Sequence, residues 1–125
     1  MTLSTDFFQT LPVVDETAID LLLHKEIAKN HRKFVVLDDD PTGVQTVHDI
    51  SVFTNWDRDS ILQGFQEPEP LFYILTNSRG LTQEETTLVH KQIAETVDSV
   101  AKELHKDYLF ISRSDSTLRG HYPLE

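Results

Sequence analysis

One stretch of the sequence, residues 33–43, limits what this chain can fold into. Its letters are KFVVLDDDPTG: the apolar residues Phe34 to Leu37 run directly into three aspartates, and Pro41 and Gly43 then interrupt the strand. A short apolar run bounded in this way predicts a buried strand that delivers polar groups to a loop. In open α/β sheets, ligands bind beside the carboxyl ends of the strands. Three adjacent carboxylates repel one another, so they need a cation, a substrate hydroxyl or a shared proton.

The rest of the chain alternates between helical and strand patterns after an irregular arm at residues 1–12. Helices are predicted at residues 15–30, 57–64 and 82–105, and strands at 33–38, 50–54, 71–75 and 108–111. Gly64 should end the second helix, and Thr82 with Glu85 should form a capping box at the start of the third. Helices between apolar strands imply parallel pairing with right-handed crossovers. We therefore expect an α/β fold: an open, mostly parallel sheet flanked by helices, incomplete at the carboxyl terminus.

The composition narrows the class of protein. A length of 125 residues suits one domain, and a formal net charge of −10 disfavours general binding to nucleic acid or anionic membranes. The sequence has no cysteine, which excludes disulfides and thiolate metal sites, and its histidines lack the spacing of a zinc site. No apolar run is long enough to cross a bilayer, and the amino terminus has no secretory-signal pattern. The simplest expectation is a cytoplasmic protein.

Polar loops follow three of the predicted strands, at one edge of the sheet. Arg79, Arg113 and Arg119 lie in these loops, and the planar guanidinium suits bidentate binding of carboxylate or phosphate. Hydroxyl side chains stand beside them: Thr42, Thr76, Ser78, Ser112, Ser114, Ser116 and Thr117. Acids accept from sugar hydroxyls while arginines hold an anionic end, so the set fits a polyhydroxylated anion. The alternative is that the arginines neutralise the three aspartates in an ion-pair network, and both interpretations can hold together.

Two families compete for these motifs. Residues 38–42 follow the pattern DxDxT after an apolar strand, and residues 71–77 form a second apolar strand that ends in Thr-Asn. Together they resemble the first two motifs of the haloacid-dehalogenase-like phosphatases. That resemblance implies a magnesium-dependent phosphatase with Asp38 as the nucleophile, Asp40 as the acid/base and Thr76 as a phosphate contact.

A longer resemblance runs from about Phe34 to Glu125. DDDPTG at 38–43, TNSRG at 76–80 and SDSTLRGHYPLE at 114–125 occur in the same order as in the four-carbon acid sugar kinase family, once catalogued as a domain of unknown function. In that family the amino-terminal domain binds the acid sugar and the carboxyl-terminal domain binds ATP. The resemblance implies the substrate-binding part of a kinase for a threonate- or erythronate-type acid, which uses ATP and Mg²⁺ in the full-length enzyme.

The same resemblance implies a set of site residues. The substrate loops would be formed by Asp39, Asp40, Thr42 and Gly43 in the first motif, by Ser78 and Arg79 in the second, and by Asp115, Ser116, Arg119 and Gly120 with the neighbouring Arg113 at the third. Asp40 or Asp115 would orient or deprotonate the reacting hydroxyl. No metal ligand is expected among these residues.

The resemblance further implies a nucleotide-binding domain, and no part of it is present in residues 1–125. We interpret the chain as a single sugar-acid-binding domain, with an arm and helix at 1–32 and the family-like region at 33–125, from a truncated or fragmentary protein. Alone it is expected to be inactive and to bind no ATP or Mg²⁺. The exposed strand edge of an unfinished sheet favours a homo-oligomer. A non-catalytic fragment that binds a ligand or assembles with itself is the third alternative.

Overall fold

The computed structural model describes residues 5–115 and 120–123. Contacts between residues divide the chain into two compact units, Met1–Asn30 and His31–Glu125. The larger unit contains every strand of the described residues and the whole stretch with motif resemblance. The functional residues predicted from sequence therefore belong to the second unit.

The first unit is helical. It holds a 3-10 helix, Thr5–Thr10, and the helix α1, Glu16–Lys29. Asp15 caps α1 by accepting a hydrogen bond from the backbone N–H of Ala18 at 3.0 Å. No residue of α1 is buried. No helix within the described ranges is long and apolar enough to cross a membrane.

The second unit is built on a four-stranded parallel sheet. Its strands are β1 Lys33–Asp38, β2 Val52–Phe53, β3 Leu71–Leu75 and β4 Tyr108–Arg113, and its helices are α2 Arg58–Gln66 and α3 Gln83–Leu104. The strand order is β2-β3-β1-β4, and every neighbouring pair is parallel. The predicted α/β fold with an open parallel sheet is confirmed.

The hydrophobic core lies between this sheet and the helices α2 and α3. Nine buried residues form it: Val35, Ile61, Phe65, Phe72, Ile74, Ile93, Val97, Val100 and Ala101. They come from β1 and β3 on the sheet side and from both helices on the other. Burial of this apolar surface fixes the register of the strands, since a slip by one residue would turn each side chain to the opposite face.

The prediction that Gly64 ends the second helix is wrong. Helix α2 continues to Gln66, and Gly64 is buried inside it. A Cβ atom at Gly64 would lie 2.9 Å from the ring of Phe72. The glycine is therefore explained by the close approach of α2 to β3, since a larger residue would overlap the ring.

The carboxyl ends of three strands meet at one edge of the sheet. In the parallel register, Asp38 at the end of β1 lies beside Leu75 on β3 and Arg113 on β4. Helix α3 then begins with the predicted capping box, in which Thr82 and Glu85 bond reciprocally. The fold therefore brings the loops after β1, β3 and β4 together, as the sequence predicts for parallel strands.

Candidate functional site

A cleft of 350 Å³ opens at this edge of the sheet. Its lining consists of acids, arginines, hydroxyl residues and one glycine: Asp38, Asp39, Asp40, Thr42, Gly43, Arg79, Ser112, Arg113, Ser114 and Asp115. Two larger surface hollows, of 440 and 470 Å³, lie along α3 and its ends, and neither brings acids and arginines together in this way. The chemistry therefore points to the smaller cleft at the strand ends, which has the size of a small-ligand site of about 300 Å³ or more.

Backbone hydrogen bonds join the loop after β3 to the end of β1. The N–H of Thr76 donates to the carbonyl oxygen of Asp38 at 2.8 Å, and the Thr76 hydroxyl donates to the same oxygen at 3.0 Å. The N–H of Arg79 donates to the carbonyl of Asp39 at 3.4 Å. Asn77 lies in the left-handed region, with φ of 52°, which asparagine tolerates better than most residues. This turn aims the Arg79 side chain at the acids of the first loop.

Arg79 joins the acids of two loops. Its Nε and Nη2 atoms donate to the two carboxylate oxygens of Asp39, at 3.0 and 3.2 Å, and its Nη1 donates to Asp40 Oδ2 at 2.8 Å. Asp115 Oδ2 lies 3.5 Å from Nε. The hydrogen bond with Asp39 is the main cause that raises the pKa of Arg79. The predicted ion-pair network is thus present, with Asp39 almost completely buried and Arg79 partly exposed.

Asp40 is held by the turn that follows it. Its Oδ1 atom accepts from the Thr42 N–H at 2.7 Å and from the Thr42 hydroxyl. The hydroxyl bond, then the backbone bond, lowers the pKa of the Asp40 carboxyl below its usual range. With Arg79 on its other oxygen, the Asp40 carboxylate is held at both oxygens.

Gly43 packs directly on the side chain of Asp38. A Cβ atom on Gly43 would lie 1.9 Å from Asp38 Oδ2, so only glycine fits here. The carbonyl oxygen of Gly43 accepts a hydrogen bond from Nη1 of Arg113. Burial raises the pKa of the Asp38 carboxyl, and the charge of Arg113 opposes that shift.

The sequence of residues 34–125 matches the family described as the sugar-binding N-terminal domain. The match covers well over half of the 125-residue chain and includes the whole cleft. The chain belongs to the family of sugar-binding N-terminal domains. Comparison with curated proteins and with solved structures gives no significant match.

Membership of this family supports a sugar-binding role, which agrees with the polar cleft. Most of the site residues predicted from sequence line that cleft: Asp39, Asp40, Thr42, Gly43, Arg79, Arg113 and Asp115. Two more, Ser116 and Arg119, lie outside the described residues. The part that each lining residue plays in ligand binding stays a prediction.

Two predicted residues lie away from the lining of the sugar-binding domain's cleft. Ser78 is buried, and its hydroxyl lies in hydrogen-bond contact with the Thr76 hydroxyl, at 3.0 Å, so it stabilises the turn that carries Arg79. Gly120 is partly buried and is not among the lining residues that the structure describes. Conversely, Asp38, Ser112 and Ser114 line the cleft although the site set implied by the acid sugar kinase resemblance omits them.

Among the described residues that line the cleft, acidic side chains outnumber basic ones. Four carboxylates face two guanidiniums, which leaves an excess of two negative formal charges if all four acids are ionised. Within the described ranges, no group of three or more histidine, aspartate or glutamate side chains has the arrangement of a metal site.

The phosphatase alternative gains no support from this sugar-binding domain. Its proposed nucleophile, Asp38, is only 1% exposed and lies beneath Gly43. A nucleophilic carboxylate must reach the phosphorus atom of its substrate. Asp40, the acid/base of that alternative, accepts hydrogen bonds from Thr42 and Arg79.

Proposed function

We propose that this chain is the substrate-binding part of an ATP-dependent kinase for a four-carbon acid sugar of the threonate or erythronate type. The observation that carries the proposal is the joint lining of one small cleft by guanidiniums, carboxylates and hydroxyls in a sugar-binding family member. Neutral sugars need acceptors and donors for their hydroxyls, whereas the arginines add a partner for an anionic end.

The two arginines of the cleft have different tasks in this proposal. The donors of Arg79 face Asp39 and Asp40, so Arg79 mainly fixes the acids that accept from sugar hydroxyls. Arg113 is exposed and lines the cleft, and the bond to Gly43 uses its Nη1 atom. A guanidinium has five N–H donors in a planar fork. We therefore assign the carboxylate of the sugar acid to Arg113.

The size of the cleft favours a short ligand. Its volume of 350 Å³ is at the lower end for small-molecule sites, which span about 300–1,000 Å³. A four-carbon acid presents one carboxylate and three hydroxyls over a short chain. Ser112 and Ser114, whose hydroxyls bond to each other at the end of β4, lie beside Arg113 and add donors and acceptors for these groups.

In the proposed reaction, a sugar hydroxyl attacks the γ-phosphorus of ATP. The bond between that phosphorus and the β–γ bridging oxygen breaks, and the hydroxyl proton passes to an acid of the cleft. Asp40 and Asp115 are the two candidates for this acid. Because Thr42 lowers the pKa of Asp40, Asp40 is better suited to orient the hydroxyl than to accept its proton. ATP with Mg²⁺ supplies the phosphoryl group, and we propose that a separate nucleotide-binding domain holds it.

An assay of phosphoryl transfer tests this proposal. ADP release by the full-length protein is followed with threonate, erythronate and their neutral alditols. We expect ADP release with at least one acid, little with the alditols, and loss of turnover in Asp115→Asn. ADP release that is independent of every four-carbon acid would contradict the proposed kinase activity.

A further inference from the structure

Asp38 is a buried acid that the proposed reaction does not use. It is 1% exposed, and its Oδ2 atom has no hydrogen-bond partner within the described part of the chain. Burial of a carboxyl group without full compensation is unfavourable, so packing alone does not explain an acid at this position.

The backbone contacts of Asp38 do not need its side chain. Its carbonyl oxygen accepts the two hydrogen bonds from Thr76, and any residue at this position would offer that oxygen. The carboxyl group instead points to the turn after β1 and to β4. Whatever the side chain contributes must therefore act on those two neighbours.

Two residues from two segments, Gly43 of the turn and Arg113 of β4, lie beside this carboxyl. Gly43 approaches so closely that a Cβ atom would overlap both carboxylate oxygens, at 1.9 and 2.2 Å. Arg113 is the register partner of Asp38 across β1 and β4, and its Nη1 donates to the Gly43 carbonyl. The carboxyl, the turn and the guanidinium thus form one packed unit at the base of the cleft.

We propose that Asp38 is a positioning residue, whose buried carboxyl holds the Gly43 turn and sets the orientation of the Arg113 guanidinium that receives the sugar acid. This role rests on the proposed function for its ligand, but the hold on Gly43 and Arg113 is a property of the ligand-free chain. Without this acid, the Gly43 turn would lose its support. The Gly43 carbonyl oxygen, which accepts from Arg113, would then no longer be held in place.

Several charged groups surround Asp38 and affect its titration. Arg113 on β4 favours the ionised form, while Asp39 and Asp40 on the adjoining loop oppose it. Arg79 and Asp115 line the same cleft from the other two loops. A pH experiment must therefore separate the titration of Asp38 from that of its neighbours, which a substitution at each position achieves.

NMR titration of the full chain, without ligand, tests the positioning role. We expect the Asp38 carboxyl carbon, the Gly43 amide and the Arg113 Nε–H to shift with pH at one common midpoint. Asp38→Asn should abolish that midpoint, whereas Asp39→Asn should keep one common midpoint and move it to lower pH, because a like charge is removed. Asp49→Asn is the matched control, because Asp49 is an exposed acid outside the cleft. A shared midpoint shows that both groups lie close enough to sense the Asp38 proton, and the affinity of Asp38→Asn for threonate then tests whether that contact positions Arg113.

Calorimetry with threonate adds the functional readout. Affinity should fall about tenfold in Asp38→Asn, the change expected when one charge-assisted hydrogen bond is misaligned, and stay unchanged in Asp49→Asn. Different midpoints for Asp38, Gly43 and Arg113 in the wild-type chain would overturn the inference, even if the variant does not fold. A shared midpoint that Asp38→Asn removes, combined with no binding of any sugar acid, would refute the proposed function and leave the hold of Asp38 on the turn established.

Discussion

Arg79 connects the acids that follow β1 with the loop that follows β3. It contacts both oxygens of Asp39 and one oxygen of Asp40 through three of its nitrogen atoms. Lysine keeps the charge but cannot make this planar fork. We expect Arg79→Lys to weaken threonate binding by about tenfold, because the two acids lose their fixed orientation.

Arg58→Lys is the matched control for this substitution. Arg58 also forms a two-bond pair, with the carboxylate of Glu103, but that pair is exposed and joins α2 to α3 away from the cleft. Titration calorimetry should give an unchanged affinity for Arg58→Lys. Equal affinities for wild type and Arg79→Lys would show that the Arg79 fork has no part in the site.

Gly43 is required by space rather than by backbone conformation, since no glycine described here has a positive φ. Gly43→Ala places a methyl group against the Asp38 carboxyl, and overpacking of this kind costs about 1–3 kcal/mol. We expect that loss in the free energy of unfolding, measured with urea. Gly80→Ala is the control, because nothing lies within 4 Å of the added atom. Similar losses in both variants would contradict the packing argument.

The sequence locates the site but does not distinguish the surroundings of its three aspartates. Parallel strand ends predict that acids and arginines meet at one edge, and most of the predicted residues line one cleft. Three consecutive aspartates look alike in sequence, whereas the structure buries Asp38, pairs Asp39 with Arg79 and anchors Asp40 on Thr42. Those differences depend on the turn geometry and on contacts between distant loops, which residue patterns do not encode.

At the scale of elements, helix α2 is shaped by its contact with β3. Gly64→Ala would gain about 1 kcal/mol of helix propensity. The added methyl would also meet three ring atoms of Phe72 at 2.9 Å, and that ring is fully buried and cannot move away. Overpacking should therefore exceed the gain, and we expect a net loss of about 1–2 kcal/mol in unfolding free energy.

Gln66→Ala, at an exposed position of the same helix, is the control for Gly64→Ala. It should change the free energy of unfolding by no more than about 0.5 kcal/mol. A Gly64→Ala protein that is more stable than wild type would mean that helix propensity outweighs the contact with Phe72.

Element prediction was accurate where local signals were strong. The apolar run of β3 predicts both of its ends, and the capping box predicts the start of α3. Strand β2 is two residues long where five were predicted, because it is an edge strand with one neighbour and little burial to define its length. The end of α2 was misplaced because a glycine that allows close packing looks the same in sequence as a glycine that ends a helix.

At the scale of the whole molecule, capping carboxylates make folding stability depend on pH. Hydrogen bonds from Ser60 lower the pKa of Asp57 at the start of α2, and those from Thr82 lower that of Glu85 at the start of α3. A lowered folded-state pKa contributes stability above the ordinary values of 3.8 and 4.5, and this stability is lost as the pH falls through the folded-state pKa.

Urea unfolding between about pH 6 and pH 3 measures this dependence. We expect the wild type to lose stability towards the acid end. Asp57→Asn should lose less over the same range, because asparagine caps a helix without titrating. Parallel pH profiles for the two proteins would contradict a capping contribution from the ionised Asp57.

The central claim is that the cleft binds a sugar acid through its guanidinium and hydroxyl groups, and calorimetric titration of the full chain with threonate tests it most directly. Threitol, which lacks the carboxylate, is the matched ligand, and Arg113→Met with Arg58→Met are the matched variants. We predict saturable binding of threonate, none of threitol, and a loss of about tenfold or more in Arg113→Met alone. Absence of saturable binding to any four-carbon acid, or equal binding by wild type and Arg113→Met, would contradict the account.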